Sequence, residues 1–143
     1  MKYLFFLTVL LLATPLIAQS PVGRWKTIDD ETGKVRSIIE ITQRGGVLEG
    51  KVTKIFPQPG DKANGICEEC PGDKKGKPIL GMTIMEGLKK DGDSWEGGTI
   101  LDPKSGKVYS CYIKLMEADK LKLRGYVGVA MLGRTQYWLR VKE

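Results

Sequence analysis

From Pro21 onward the chain is cut into short runs by turn-forming segments at nearly even intervals, and helical periodicity is almost absent between them. The interrupting segments are Asp29–Lys34, Arg44–Gly46, the long stretch 57–78, Gly87–Asp93, Asp102–Lys107, Glu117–Lys120 and Met131–Gly133. Seven interruptions leave eight runs of strand length, expected at Gly23–Ile28, Val35–Gln43, Val47–Phe56, Ile79–Glu86, Ser94–Leu101, Val108–Met116, Leu121–Ala130 and Arg134–Lys142. A chain punctuated this way has no helix with which to cover a sheet.

Apolar residues alternate within these runs. Tyr109, Cys111, Ile113 and Leu115 share one face, as do Leu121, Leu123, Val127 and Val129, and Val35, Ile39 and Ile41. Arg36, Glu40, Lys114, Lys122 and Arg124 occupy the opposite positions. One buried and one wetted face is the antiparallel pattern. Sheet edges with nothing to cover them are best removed by closing the sheet on itself. The expected fold class is therefore all-β, a single eight-stranded antiparallel up-and-down β-barrel, with a two-sheet sandwich as the alternative. Glycine is abundant, 18 in the chain. Gly50, Gly81, Gly97, Gly98, Gly125 and Gly128 fall inside expected strands, where small barrels need bends or close backbone approach.

The amino terminus indicates a compartment. Met1-Lys2-Tyr3 followed by the apolar run Leu4–Leu12 has the form of an export signal, too short for a membrane span. Cleavage after Ala18 is expected, leaving residues 19–143 as the barrel domain in a periplasmic or extracellular setting. Removal of Lys2, the only charge among the first 20 residues, would lower the net charge from +6 to +5. No later run is long and apolar enough to span a bilayer.

The chain has no histidine, which removes Ser-His-Asp triads, histidine general bases and the commonest zinc and iron ligand sets. No Asp or Glu pair has the spacing of a general acid and base on one strand face. Asp29-Asp30-Glu31, Asp91-Gly92-Asp93 and Asp102-Pro103 read as turn chemistry, in which short polar side chains bond the local backbone. No metal site and no cofactor is expected. The basic residues are spread over wetted strand positions and turns without a stripe of stacking aromatics, so nucleic acid is not the expected partner. An envelope component, either anionic lipid headgroups or surface polymers, fits that charge better.

Cys67-x-x-Cys70 lies in the longest interruption, between PGDKANGI and PGDKKGKP. A redox pair would need a helix N-terminus after a strand, and a zinc site with Cys111 would lack a fourth ligand of ordinary type. In an oxidising compartment a structural disulfide remains, preferentially Cys67 to Cys70, with a tether from the loop to Cys111 as the alternative. At 22 residues, segment 57–78 exceeds the length at which loops commonly stay structureless, and it is expected to act as a lid.

The order GRWKTIDDETGKVRSIIEI, GKVTKI, KPILGMTIMEGLK, WEGGTILDPKSGKVY, KLKLRGYVG and GRTQYWLR resembles the domain-of-unknown-function 2147 family of exported bacterial proteins, over nearly the whole chain after Pro21. The Cys67–Cys70 insertion and Cys111 depart from the usual pattern, and the family implies no particular reaction. Gly23-x-Trp25 on the first strand, with Arg140 on the last, is similar to the signature of lipocalin-like barrels. That resemblance implies closure of one barrel end by Trp25, with Arg140 lying across its ring.

Three functions follow as expectations. The leading one is a barrel that binds a small, partly apolar ligand in its mouth or lumen, with Trp25, Tyr109, Arg124, Tyr126, Arg134 and Trp138 as candidate contacts. The alternatives are a cell-envelope interaction module with a filled core and a cofactor-free enzyme using Arg, Tyr and carboxylates. By strict alternation Trp138 and Arg140 oppose Tyr137 and Leu139 and join Arg124 and Tyr126 on the polar face, unless a glycine bulge switches the faces.

Overall fold

The structure, a computed structural model, describes residues 19–142; the leader read from residues 1–18 lies outside them. Ten strands occur in the order β1 (Gly23–Ile28), β2 (Val35–Arg44), β3 (Val47–Ile55), β4 (Ile66–Cys67), β5 (Lys77–Pro78), β6 (Thr83–Asp91), β7 (Ser94–Leu101), β8 (Val108–Glu117), β9 (Lys120–Tyr126) and β10 (Gly133–Arg140). β4 and β5 form a small hairpin of their own, and the other eight close into a barrel in the order β1-β10-β9-β8-β7-β6-β3-β2. Every neighbouring pair is antiparallel and consecutive barrel strands lie side by side, so the barrel is up-and-down and not a sandwich. Closure comes from Trp25 pairing with Arg140 and Lys26 with Leu139.

The inward row of each strand fills the lower half of the barrel. Trp25, Ile39, Ile41, Leu48, Met85, Leu88, Ile113 and Leu121 are fully buried there, and Cys111 lies among them as a free thiol. Truncating any one of these large aliphatic residues to alanine should cost about 2–5 kcal/mol, since barrel walls cannot collapse far into the void. No side-chain nitrogen or oxygen among the described residues is buried without a hydrogen-bond partner.

Three strand expectations are corrected. β6 runs from Thr83 to Asp91 instead of Ile79 to Glu86, because the hairpin turns tightly at Gly92-Asp93. Gly87, with φ of 77°, lies within β6 where the register slips against β3, so Met85 and Leu88 both face inward. β9 ends at Tyr126, which leaves Val127 and Val129 exposed instead of inward. Trp138 is buried and pairs with inward-facing Leu121, whereas Tyr137 and Leu139 face out. The wide indole fills the lumen, and Tyr137 is covered from outside by the Lys120 ammonium, 4.7 Å from its ring centroid. Gly81 and Gly128 fall outside the strands.

The two barrel ends differ. At one, the Arg140 guanidinium lies 4.3 Å from the Trp25 ring centroid. It donates from Nε to the Ala118 carbonyl at 2.8 Å and from its two terminal nitrogens to the carbonyls of Val22 at 3.0 Å and Ser20 at 2.8 Å. The Trp25 indole N–H donates to the Pro21 carbonyl at 2.8 Å, so the segment before β1 is folded under the barrel as a floor. Gly23 has φ of 141°, and a Cβ there would stand 2.6 Å from an Arg140 nitrogen. Only glycine leaves the guanidinium its seat.

Candidate functional site

At the opposite end, the β1–β2 turn, the long β3–β6 connection, the β7–β8 turn and the β9–β10 loop surround an open cavity of about 1240 Å³. Its floor is apolar, with Val52, Ile84, Leu101, Leu123 and Trp138 contributing, and its side wall includes Ile79, Ile100 and Tyr109. The floor residues are at most 7% exposed. The cavity is therefore a vestibule above a packed plug and not a bore through the barrel. Such a concave, mostly apolar space with polar groups at its edge is the usual form of a small-molecule site.

The β3–β6 connection forms one side of the vestibule and is fixed at several points. Arg36 on β2 donates to both carboxylate oxygens of Asp61, at 3.3 and 3.2 Å, and Asp61 also accepts the Gln58 backbone N–H at 2.8 Å. The Gln58 N–H chiefly, with help from the guanidinium, holds the Asp61 carboxyl below its ordinary 3.8. Cys67 and Cys70 form a disulfide whose sulfurs belong to the hydrophobic core. The Cys67 sulfur lies 3.2 Å from the Pro103 carbonyl oxygen, a contact to the β7–β8 turn rather than a hydrogen bond, because a disulfide sulfur carries no proton. In that turn Gly106, with φ of 73°, passes so close to Glu69 that any side chain would run into the Glu69 carbonyl. Lys74 pairs with Glu86 on β6 at 2.8 Å.

Charged groups line the upper edge. Arg134 on β10 pairs with Asp30 across the mouth, and Lys62 pairs with Glu68. The Asp29 carboxylate accepts the Glu31 and Thr32 N–H groups at 2.9 and 2.8 Å, the Thr32 bond being the larger cause of its lowered pKa. The lining holds seven carboxylates (Asp29, Asp30, Glu31, Asp61, Glu68, Glu69, Asp102) against four cations (Arg36, Lys62, Lys104, Arg134). The mouth is acidic in a chain whose net charge is +6. Deeper, the Thr27 and Ser37 hydroxyls lie 2.7 Å apart, and the Trp138 indole N–H donates to Gln136 Oε1 at 3.2 Å.

Of the six candidate contacts, Tyr109, Tyr126, Arg134 and Trp138 meet in the cavity lining. Trp25 does not; it lies at the closed end under Arg140. Arg124 does not either, because it projects outward and holds the β9–β10 loop by its carbonyls. Sequence reasoning missed Arg36, Asp61 and Asp30, whose partners are far away along the chain. Their only local signal is a charge beside a turn. The preferred Cys67–Cys70 pairing is the one present, and Cys111 is free and buried, its thiol pushed up to about 12 by desolvation. Among the described residues no helix is long and apolar enough to cross a membrane.

An eight-stranded up-and-down barrel with an arginine-capped tryptophan at one end and a vestibule at the other defines the class: a lipocalin-like barrel. Residues 23–140 match the bacterial family described as "Uncharacterized protein conserved in bacteria (DUF2147)", and the chain belongs to that family. Among solved structures it is similar to protein HP1028 from the human pathogen Helicobacter pylori, described as belonging to the lipocalin family. The two share 20% identity at a TM-score of 0.73, over 87% of this chain and 84% of that one. At that identity the likeness speaks for the fold. A redesigned β-barrel aligns over 85% of this chain and 91% of its own, with 16% identity and a TM-score of 0.46. No curated protein matches the chain.

Proposed function

We propose that this protein is an exported binding barrel that takes a small, partly apolar molecule into its vestibule. The observation that carries this reading is the cavity of about 1240 Å³, apolar at its floor and polar at its edge, above a plugged lower barrel. A filled module would have no reason to stop packing halfway. The apolar part of the ligand would lie on Trp138, Leu123 and Ile100, and its polar end would reach Tyr109, Tyr126 and the charged edge. With seven carboxylates against four cations there, that polar end is uncharged or cationic. Segment 57–78 acts as a lid of which only the part around Arg36–Asp61 loosens, since the disulfide end is packed into the core.

Export is supported by the leader-like residues 1–18 and by the Cys67–Cys70 disulfide, a bond that persists in oxidising compartments. Native mass spectrometry of the chain taken from its host's envelope, without refolding, tests both parts. An extra mass that is lost on denaturation, on a chain starting at Gln19, is the expected result. Repeated recovery of the bare chain would contradict ligand binding, and an uncleaved amino terminus would contradict export.

A further inference from the structure

The β9–β10 loop is built unlike the other three at the mouth. From Tyr126 to Gly133 it reads YVGVAMLG, with no charge, and Met131 is 88% exposed, Leu132 73%, Val127 67% and Val129 57%. Four of its carbonyls, those of Val127, Val129, Ala130 and Met131, are by contrast bonded from within. The Val129 N–H donates to the Val127 carbonyl at 3.1 Å and the Leu132 N–H to the Val129 carbonyl at 3.0 Å. Arg124 donates from Nε to the Ala130 carbonyl at 2.9 Å and from its terminal nitrogens to the Met131 carbonyl at 3.3 Å and Thr135 Oγ1 at 2.8 Å. A loop in water gains little from turning its carbonyls inward and its apolar side chains outward. At an acyl boundary that arrangement is favoured, because unbonded carbonyls there are costly.

The wall from which the loop rises is cationic and aromatic. The register places Lys120 between Leu139 and Glu117, Lys122 between Tyr137 and Lys114, and Arg124 between Thr135 and Tyr112, so that Glu117 at the closed end is the one acid it sets beside these four cations. Lys120 and Lys122 lie over the Tyr137 and Tyr112 rings, 4.7 and 5.7 Å from the centroids. Lys114 pairs with Asp93, at the far end of the barrel. The carboxylates of the mouth stand on the other three loops, so the barrel can lean on this wall without bringing them to an anionic surface.

We propose that the β9–β10 loop, together with the outer wall of β8, β9 and β10, forms a docking face for the surface of an anionic lipid bilayer. The apolar tip enters the acyl boundary, Tyr112 and Tyr137 sit at headgroup depth, and the lysines reach the lipid phosphates. A protein partner fits less well, since a stable interface needs roughly 800 Å² per side and an apolar tip of this length offers far less. Docking does not depend on cargo. Val127 and Leu132 also line the vestibule, so docking sets only the β9–β10 side of its mouth against the bilayer.

The test is flotation of the chain purified from its host with vesicles of phosphatidylethanolamine and phosphatidylglycerol in equal parts, beside vesicles of phosphatidylcholine alone. The wild type is expected to float with the anionic vesicles. The double variant Val129→Asp/Met131→Asp should lose about tenfold or more of the bound fraction, and Lys120→Glu/Lys122→Glu should lose binding to the anionic vesicles. As a second readout, Met131→Trp emission should shift to the blue and be quenched by brominated acyl chains. Failure of the wild type to float, or undiminished flotation of the aspartate variant, would overturn the proposal. So would equal binding to phosphatidylcholine, or a loop-dependent dimer that ignores vesicles. None of these readouts requires the vestibule to be occupied.

Discussion

The Arg140 guanidinium, 4.3 Å from the Trp25 ring centroid, joins the last strand of the barrel to the first and holds the segment before β1 under the barrel as its floor. The geometry gives four links at once: a ring face, the Ala118 carbonyl in the β8–β9 turn, and the carbonyls of Ser20 and Val22. A planar fork can serve all of these, whereas a point charge cannot. Arg140→Ala is expected to lower stability by about 1–3 kcal/mol, and Arg140→Lys to recover only a minor part, as read from urea midpoints.

Gly23→Ala should destabilise through the same seat. Its Cβ would meet the guanidinium at 2.6 Å, and φ of 141° is unfavourable for any L side chain. A loss of about 1–3 kcal/mol is expected. If Gly23→Ala in an Arg140→Ala background costs as much as in the wild type, the crowding account is wrong and only backbone strain remains.

The start of the β3–β6 connection should loosen in acid. Asp61 has a folded pKa below its ordinary 3.8, so its contribution is fully present above that value and is lost as pH falls through the lower folded value. Hydrogen exchange of residues 57–65 is expected to be unchanged between pH 7 and 5 and to rise below about pH 4 relative to the barrel strands. Asp61→Asn should raise that exchange already at neutral pH and make it less dependent on pH.

Thiol chemistry should separate the three cysteines. Cys111 is fully buried, and desolvation puts its pKa at about 12, so the folded chain should take up no alkylating reagent at pH 8. Unfolding without reductant should give one adduct, and unfolding with reductant three, as counted by intact mass. The double variant Cys67→Ser/Cys70→Ser should lose about 2 kcal/mol, the chain-entropy value for so short a loop.

The barrel was legible because period-two alternation in eight runs leaves few ways to bury one face, and Trp25 with Arg140 marked the closing strands. The errors came from reading Gly87 as the start of a turn and from carrying alternation past Tyr126. At Gly87 a register slip puts Met85 and Leu88 on the same side, and after Tyr126 the valines of VGV keep the strand pattern although no partner strand continues. The site was only half legible. Tyr126, Arg134 and Trp138 are near one another in sequence, but Arg36 meets Asp61, and Asp30 meets Arg134, only after closure. Arg124 was placed on the right face of its strand, yet nothing in sequence showed that its donors turn to the carbonyls of a loop six and seven residues on.

The most direct test of the vestibule as a binding site is to fill it and weigh what remains. Gly125 lines the cavity, and a Cβ there would meet Tyr109 and Ile100 at ordinary distances of 3.7 and 3.8 Å, so a larger side chain can enter without disturbing the strand. Native mass spectrometry of wild type and Gly125→Trp, both recovered from the host envelope without refolding, should show a bound mass on the wild type. On a variant of equal melting temperature that mass should be absent or at least about tenfold depleted. The same bound mass on both chains, or none on either, would contradict the account.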